Sequence, residues 1–143
     1  MNPVALPNAQ ATVLVVDDTV SMLKLHATIL AHDGYRVLTN TSAVEAIDRL
    51  ATDIPDVIVL DYMMPIMDGP MFLRRMRTDA RLCDVAVIVL TASSDEMHIE
   101  EAFDAGANEY LTKPVDRRVL LARVRAMVDA RRARQELRMS RVP

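Results

Sequence analysis

Three aspartates, one threonine and one lysine each follow directly on a run of β-branched and aliphatic residues. Asp17 and Asp18 end the first such run, Asp61 ends the third, Thr91 ends the fourth, and Lys113, followed by Pro114, comes straight after the fifth. Carboxylates packed together raise the free energy of their ionised forms, so this set demands a cation. An all-oxygen donor set selects a hard ion such as Mg²⁺, with Mn²⁺ as a substitute. Asp18 and Asp61 are the expected direct ligands, and Asp17 is expected to act through a bound water. A carboxylate beside such an ion is also a nucleophile toward phosphorus, provided that the charge spread over the phosphoryl oxygens is neutralised. Lys113 offers a point charge and Thr91 a hydroxyl donor for those oxygens. Each residue alone has an ordinary explanation, because a carboxylate at a strand end often caps the next helix. The common register of all five points to a site.

The elements that must hold these residues alternate regularly. Segments 12–17, 36–40, 56–61, 85–91 and 109–112 read as strands. Between them, Val20, Leu23, Ala27 and Leu30 recur at helical spacing, as do Ala43, Ala46, Ile47 and Leu50, and, less cleanly, Met71, Phe72, Arg75 and Met76. Two further helices are predicted over 95–105 and 116–138, and Gly34 and Gly106 stand where helices should stop. The pattern predicts an α/β fold: a single doubly wound (βα)5 domain, with a five-stranded parallel sheet, helices on both faces and an extended last helix. In such a fold, function collects at the carboxyl ends of the strands.

Composition narrows the function classes. The chain has 143 residues, 51% hydrophobic but only 3% aromatic, which suits one domain with an aliphatic core. We expect a domain over 11–130, a flexible tail over 1–10 and a basic helical extension or linker over 131–143. Beyond Leu120, Val124 and Met127, which form its packing stripe, the last helix shows Ala126, Ala130, Ala133 and Leu137 among Arg131, Arg132, Arg134 and Arg138, suiting a linker or dimer contact. No apolar run approaches the length of a membrane span and residues 1–10 lack a leader pattern, so a cytoplasmic location with no membrane contact is expected. Residues 116–143 carry nine arginines against Asp116, Asp129 and Glu136, so the acidic excess lies in the first 115 residues. An acidic body argues against direct nucleic-acid binding. The lone Cys83 reads as a small buried or half-buried residue. Gly34, Gly69 and Gly106 are too scattered to cradle a nucleotide. His26, His32 and His98 read as packing or exposed residues. A hydrolase of the haloacid dehalogenase type is disfavoured, because Met63 stands where a second Asp would donate the proton.

Four segments, Val-Leu-Val-Val-Asp17-Asp18, Leu60-Asp61-Tyr-Met-Met-Pro65-Ile-Met-Asp68-Gly69, Leu90-Thr91-Ala92 and Gly106-Ala-Asn-Glu-Tyr110-Leu-Thr-Lys113-Pro114, stand in that order. Through them, residues 11–130 closely resemble the receiver domain of two-component response regulators. The resemblance implies a flavodoxin-like fold and Mg²⁺-dependent phosphorylation of Asp61 by the phosphohistidine of a sensor kinase or phosphotransfer protein. It implies a metal contact from the Met63 backbone carbonyl and a cis Lys113–Pro114 bond. It also implies a switch in which Thr91 moves toward the phosphoryl group while Tyr110 fills the space vacated, altering the face made by the fourth helix, fifth strand and fifth helix. The chain is then a phosphoacceptor signalling domain rather than an enzyme. Its altered face would serve a C-terminal output domain outside this chain, a homodimer, or a partner of a stand-alone regulator.

Overall fold

Runs such as Val57–Leu60 and Ala86–Leu90 leave no side chain for water, so they are stable only when covered from both sides. The computed structural model, which describes residues 11–140, covers them in that way. The predicted tail and residues 141–143 of the predicted extension lie outside the described residues. The elements are β1 (Thr12–Val16), α1 (Val20–His32), β2 (Arg36–Asn40), α2 (Ala43–Arg49), β3 (Val57–Asp61), α3 (Gly69–Arg77), β4 (Ala86–Thr91), α4 (Glu96–Ala105), β5 (Glu109–Thr112) and α5 (Arg117–Ser140). All strand pairs are parallel, in the order β2-β1-β3-β4-β5. Every residue of β3 and β4 is buried. Alternate side chains feed two cores. Leu14, Ile58, Leu60, Val87 and Val89 meet Ala46 of α2, Phe72 and Leu73 of α3 and Ala102 of α4. Val13, Val57, Val59, Ile88 and Leu90 meet Leu23 and Leu30 of α1 and Leu120, Val124 and Val128 of α5.

The predicted elements stand within about two residues of the observed ones, with four departures. Val20 is 51% exposed, and the buried face of α1 is Leu23, His26 and Leu30. On α5, Val128 completes the buried stripe and Met127 packs beside it. A 3-10 turn at Ala80–Leu82, unmarked by periodicity, precedes β4 and leaves Cys83 exposed at its end, not buried or half-buried as expected. Finally, Arg131, expected among linker or dimer-contact residues, pairs within the domain. Its guanidinium lies 2.6 Å from Asp56 Oδ1 and 3.6 Å from Asp84 Oδ1, and Arg138 lies 3.2 Å from Asp84 Oδ2. Asp56 also accepts a hydrogen bond from the Thr12 amide at 2.8 Å. The far end of α5 is thereby hooked to the amino ends of the strands.

A second arginine joins several elements. Arg77, at the end of α3, donates to the carbonyls of Leu82 (3.0 Å), Val85 (2.8 Å) and Gly106 (2.9 Å) and to Asn108 Oδ1 (3.0 Å). Loop and helix-end carbonyls that no ladder could satisfy thus gain a charged donor. Gly106 caps α4 at φ 118°, and a β-carbon there would lie 2.8 Å from Arg77 Cγ. Gly106→Ala should therefore destabilise the fold by about 1–3 kcal/mol, combining left-handed strain with displacement of Arg77. Urea unfolding is the measurement, and a wild-type midpoint with a wild-type slope would contradict it.

Candidate functional site

Parallel pairing decides where the chemistry-bearing residues meet. Val16 is opposite Leu60, Asp61 is opposite Leu90, and Thr91 is opposite Thr112. One residue beyond these pairs, Asp17, Asp61, Thr91 and Lys113 line the carboxyl edge of four adjacent strands. Lys113 sits two strand spacings from Asp61, about 10 Å of sheet, and only a long side chain bridges that gap. Its Nζ lies 3.1 Å from Asp17 Oδ2 and 3.2 Å from Asp61 Oδ1. Oxygens of Asp17, Asp18 and Asp61 lie within 4.8 Å of one another, with Asp18 exposed and the other two buried. Donors of this kind and number fit a hard divalent cation that keeps part of its water shell.

Local structure aims each group. Asp17 Oδ1 accepts from the Thr19 amide at 2.9 Å, which leaves Oδ2 to Lys113. Asp61 is the last residue of β3, and the loop behind it is drawn tight by Gly69. The Gly69 amide donates to the Tyr62 carbonyl at 2.9 Å, and a β-carbon on Gly69 would lie 3.1 Å from the Asp61 carbonyl oxygen. Asp68 caps α3 by accepting from the Met71 amide at 2.9 Å. Between them, Ile66 takes φ 72°, an unusual conformation for a β-branched residue. The Met63 side chain is exposed in this loop. The Lys113–Pro114 bond is cis, and the Lys113 amide donates to the Thr91 carbonyl at 2.7 Å.

Electrostatics follow from this packing. Burial, then the Asp17 charge, pushes the Asp61 carboxyl up to about 6 despite Lys113. Burial opposes the Lys113 ammonium, but Asp61 and Asp17 outweigh it and its pKa is raised. Thr91 is buried, and its hydroxyl accepts from the Ser93 amide at 3.1 Å, so in this state it serves its own loop. Tyr110 is half-buried and donates to the Ser93 carbonyl at 2.6 Å.

Three residues around the site make contacts that the sequence did not reveal. Tyr62 donates to Glu101 Oε2 at 2.8 Å, and its ring centroid lies 5.0 Å from that of His98. His98, read as a bystander, has Nδ1 2.9 Å from Ser93 Oγ. The available signal was the spacing of His98 and Glu101 on one helix face. His26 is buried beneath the site, where burial lowers its proton affinity, with the Lys113 charge adding to that effect. Its i+3 and i+4 relation to Leu23 and Leu30 was the signal for that burial.

Comparison with known proteins gives a family and a fold. The model of the response regulator receiver domain family matches residues 13–125. Response regulator PleD of Caulobacter vibrioides is 35% identical over 128 residues, covering 90% of this chain and 28% of PleD. Response regulator MprA of Mycobacterium avium is 40% identical over 116 residues, covering 81% of this chain and 50% of MprA. The chain thus spans half or less of these two relatives. The solved structure of chemotaxis protein CheY4 of Vibrio cholerae superposes with a TM-score of 0.79 at 29% identity, covering 83% of this chain and 99% of that one.

The raised proton affinity of Asp61 has a measurable consequence in metal-free solution. A carboxyl that binds its proton more tightly folded than unfolded contributes stability that is present below its ordinary pKa, near 4, and lost as pH rises through about 6. In EDTA, wild-type stability should therefore fall across that window relative to Asp61→Asn, leaving the variant more stable at pH 7 by on the order of 2 kcal/mol. Parallel denaturant series at several pH values check this. Curves for the two proteins that stay parallel throughout would refute it.

Proposed function

The chain belongs to the response regulator receiver family, and on that premise we propose that Asp61 is its phosphoacceptor, taking a phosphoryl group from the phosphohistidine of a sensor kinase or phosphotransfer protein in the cytoplasm. The observation that carries this reading is the placement of the Lys113 ammonium between Asp17 and Asp61, at 3.1 and 3.2 Å. An Asp61 oxygen forms the new bond to phosphorus as the phosphorus–nitrogen bond of the donor breaks, and the electron pair leaves with the imidazole, which takes up a proton. Lys113 then turns from the carboxylate to a phosphoryl oxygen, where its charge offsets that of the transferring group. Thr91 exchanges the Ser93 amide for a second phosphoryl oxygen.

Asp18, Asp61 and the Met63 backbone carbonyl are the residues suited to hold Mg²⁺, with Asp17 acting through water and Mn²⁺ as a substitute. When bound, the ion supplies positive charge to the phosphoryl oxygens. Movement of Thr91 empties space beside Tyr110, whose hydroxyl is the group free to follow by giving up the Ser93 carbonyl. The face of α4, β5 and α5 changes with it. That face would act on an output domain following α5, on a second copy of the chain, or on a separate protein partner. One to three new charge-assisted hydrogen bonds are enough to bias such a two-state element.

Intact mass after incubation with acetyl phosphate and Mg²⁺ tests the proposal. Wild type should gain one phosphoryl group, about 80 Da. Asp61→Asn and an EDTA control should gain none, and Lys113→Ala should load about tenfold more slowly or worse. Equal labelling of Asp61→Asn and wild type would overturn the assignment.

A further inference from the structure

α4 is held lightly against the sheet, as α2 also is, each burying two alanines. Of its ten residues, all described, Ala102 and Ala105 are the buried ones, whereas α3 buries Phe72, Leu73 and Met76 among others. Two methyl groups offer little apolar area, so polar contacts must do more to keep α4 in place. Those contacts converge on Tyr62, the residue bonded to Asp61. Its hydroxyl donates to Glu101 Oε2 at 2.8 Å, and Arg74 of α3 stands 3.8 Å from the other oxygen of the same carboxylate. Its ring meets that of His98 at 5.0 Å and 36°. His98 in turn reaches Ser93 Oγ at 2.9 Å, and that oxygen accepts from the amide of Asp95, the cap of α4, at 3.1 Å.

The other end of this side chain has no slack. The Tyr62 amide donates to the Leu90 carbonyl at 3.0 Å, its carbonyl accepts from Gly69 at 2.9 Å, and the residue is 3% exposed. A displacement of the Asp61 main chain is therefore passed to the Tyr62 ring instead of being absorbed between them. We propose that Tyr62 is a positioning residue that couples the state of Asp61 to α4, its bond to Glu101 and its contact with His98 docking α4 before loading and loosening when Asp61 is loaded. The inference rests on the reading of Asp61 as phosphoacceptor. The route leaves the end of β3 on the side of α3 and α4 and enters α4 at its middle, and it meets the Thr91–Tyr110 movement at Ser93, which His98, Thr91 and Tyr110 all touch. Burial, then the Glu101 hydrogen bond and charge, raises the Tyr62 phenol's pKa, so it remains a donor through the physiological range.

Amide hydrogen exchange of wild type, Tyr62→Phe, Glu101→Gln and the double variant, each with and without beryllofluoride and Mg²⁺ and with acetyl phosphate loading followed by mass, tests this. Tyr62→Phe keeps the ring and its packing. Without loading, it should raise exchange across α4 about tenfold, the effect of one hydrogen bond to a charged acceptor, while β3 and α1 stay as in wild type. Loading should speed α4 exchange in wild type and add little in Tyr62→Phe. Glu101→Gln, which retains a neutral acceptor on a surface side chain, should fall between the two, and the double variant should match Tyr62→Phe alone. Full additivity of the two changes, or an α4 response in Tyr62→Phe as large as in wild type, would overturn the coupling while leaving the phosphoacceptor reading intact. A wild type that gains no mass and shows no response to beryllofluoride would overturn the phosphoacceptor reading and the coupling with it.

Discussion

Two carboxylates buried side by side at the ends of neighbouring strands are tolerable in this fold because one ammonium reaches both. Lys113 lies 3.1 Å from Asp17 and 3.2 Å from Asp61, and without it the unneutralised pair would meet the full penalty of burying like charges. The same constraint ties the most distant parts of the chain together. Asp17 follows β1 and Lys113 follows β5, so the contact forms only when β3 and β4 lie between them in register. Even with the lysine in place the balance is incomplete, since Asp61 still holds its proton more tightly than an ordinary carboxyl does. A site left short of positive charge is suited to gaining a cation and then a group that carries its own hydrogen-bond acceptors.

The surroundings of that contact divide into rigid and light parts. Behind Asp61 the chain is tight, with Gly69 packed against the main chain of Asp61 and Tyr62 and Asp68 capping α3. At the opposite pole, Arg131 joins α5 to Asp56 and Asp84, with a side chain only 13% exposed. Arg77 similarly gathers the ends of α3, the 3-10 turn and α4. Half-buried arginines suit these joints because a planar guanidinium can meet several carbonyl or carboxylate oxygens at once. Between these poles α4 rests on two alanines and a set of side-chain hydrogen bonds. A switch needs a light element of this kind, because a well-packed one would resist a change of a few kcal/mol.

Much of this was legible in the sequence, and the reason is periodicity. Continuous apolar runs of β3 and β4 admit few environments other than a covered parallel sheet. Once the sheet is parallel, the residues ending its strands must share an edge, so the grouping of Asp17, Asp61, Thr91 and Lys113 followed from types and spacing. The caps and stops were legible for the same reason, since Gly106 at φ 118° meets a backbone need that its neighbours do not. What escaped were contacts between elements distant in the chain. His98 read as a packing or exposed residue and Arg131 as part of a linker or dimer contact, because nothing local marks the partner of a polar side chain.

By itself, then, the sequence determined the fold class and the strand edge on which the polar residues gather, because these depend on hydrophobic period and side-chain type. Tertiary structure alone decided which oxygen of Asp17 faces Lys113, that Thr91 serves Ser93 in this state, that Tyr62 reaches across to Glu101 and that α5 is hooked at Asp56 and Asp84. Those choices turn on distances of a few tenths of an ångström between particular atoms, most of them on chain segments many residues apart, and a linear pattern of residue types carries no such distances.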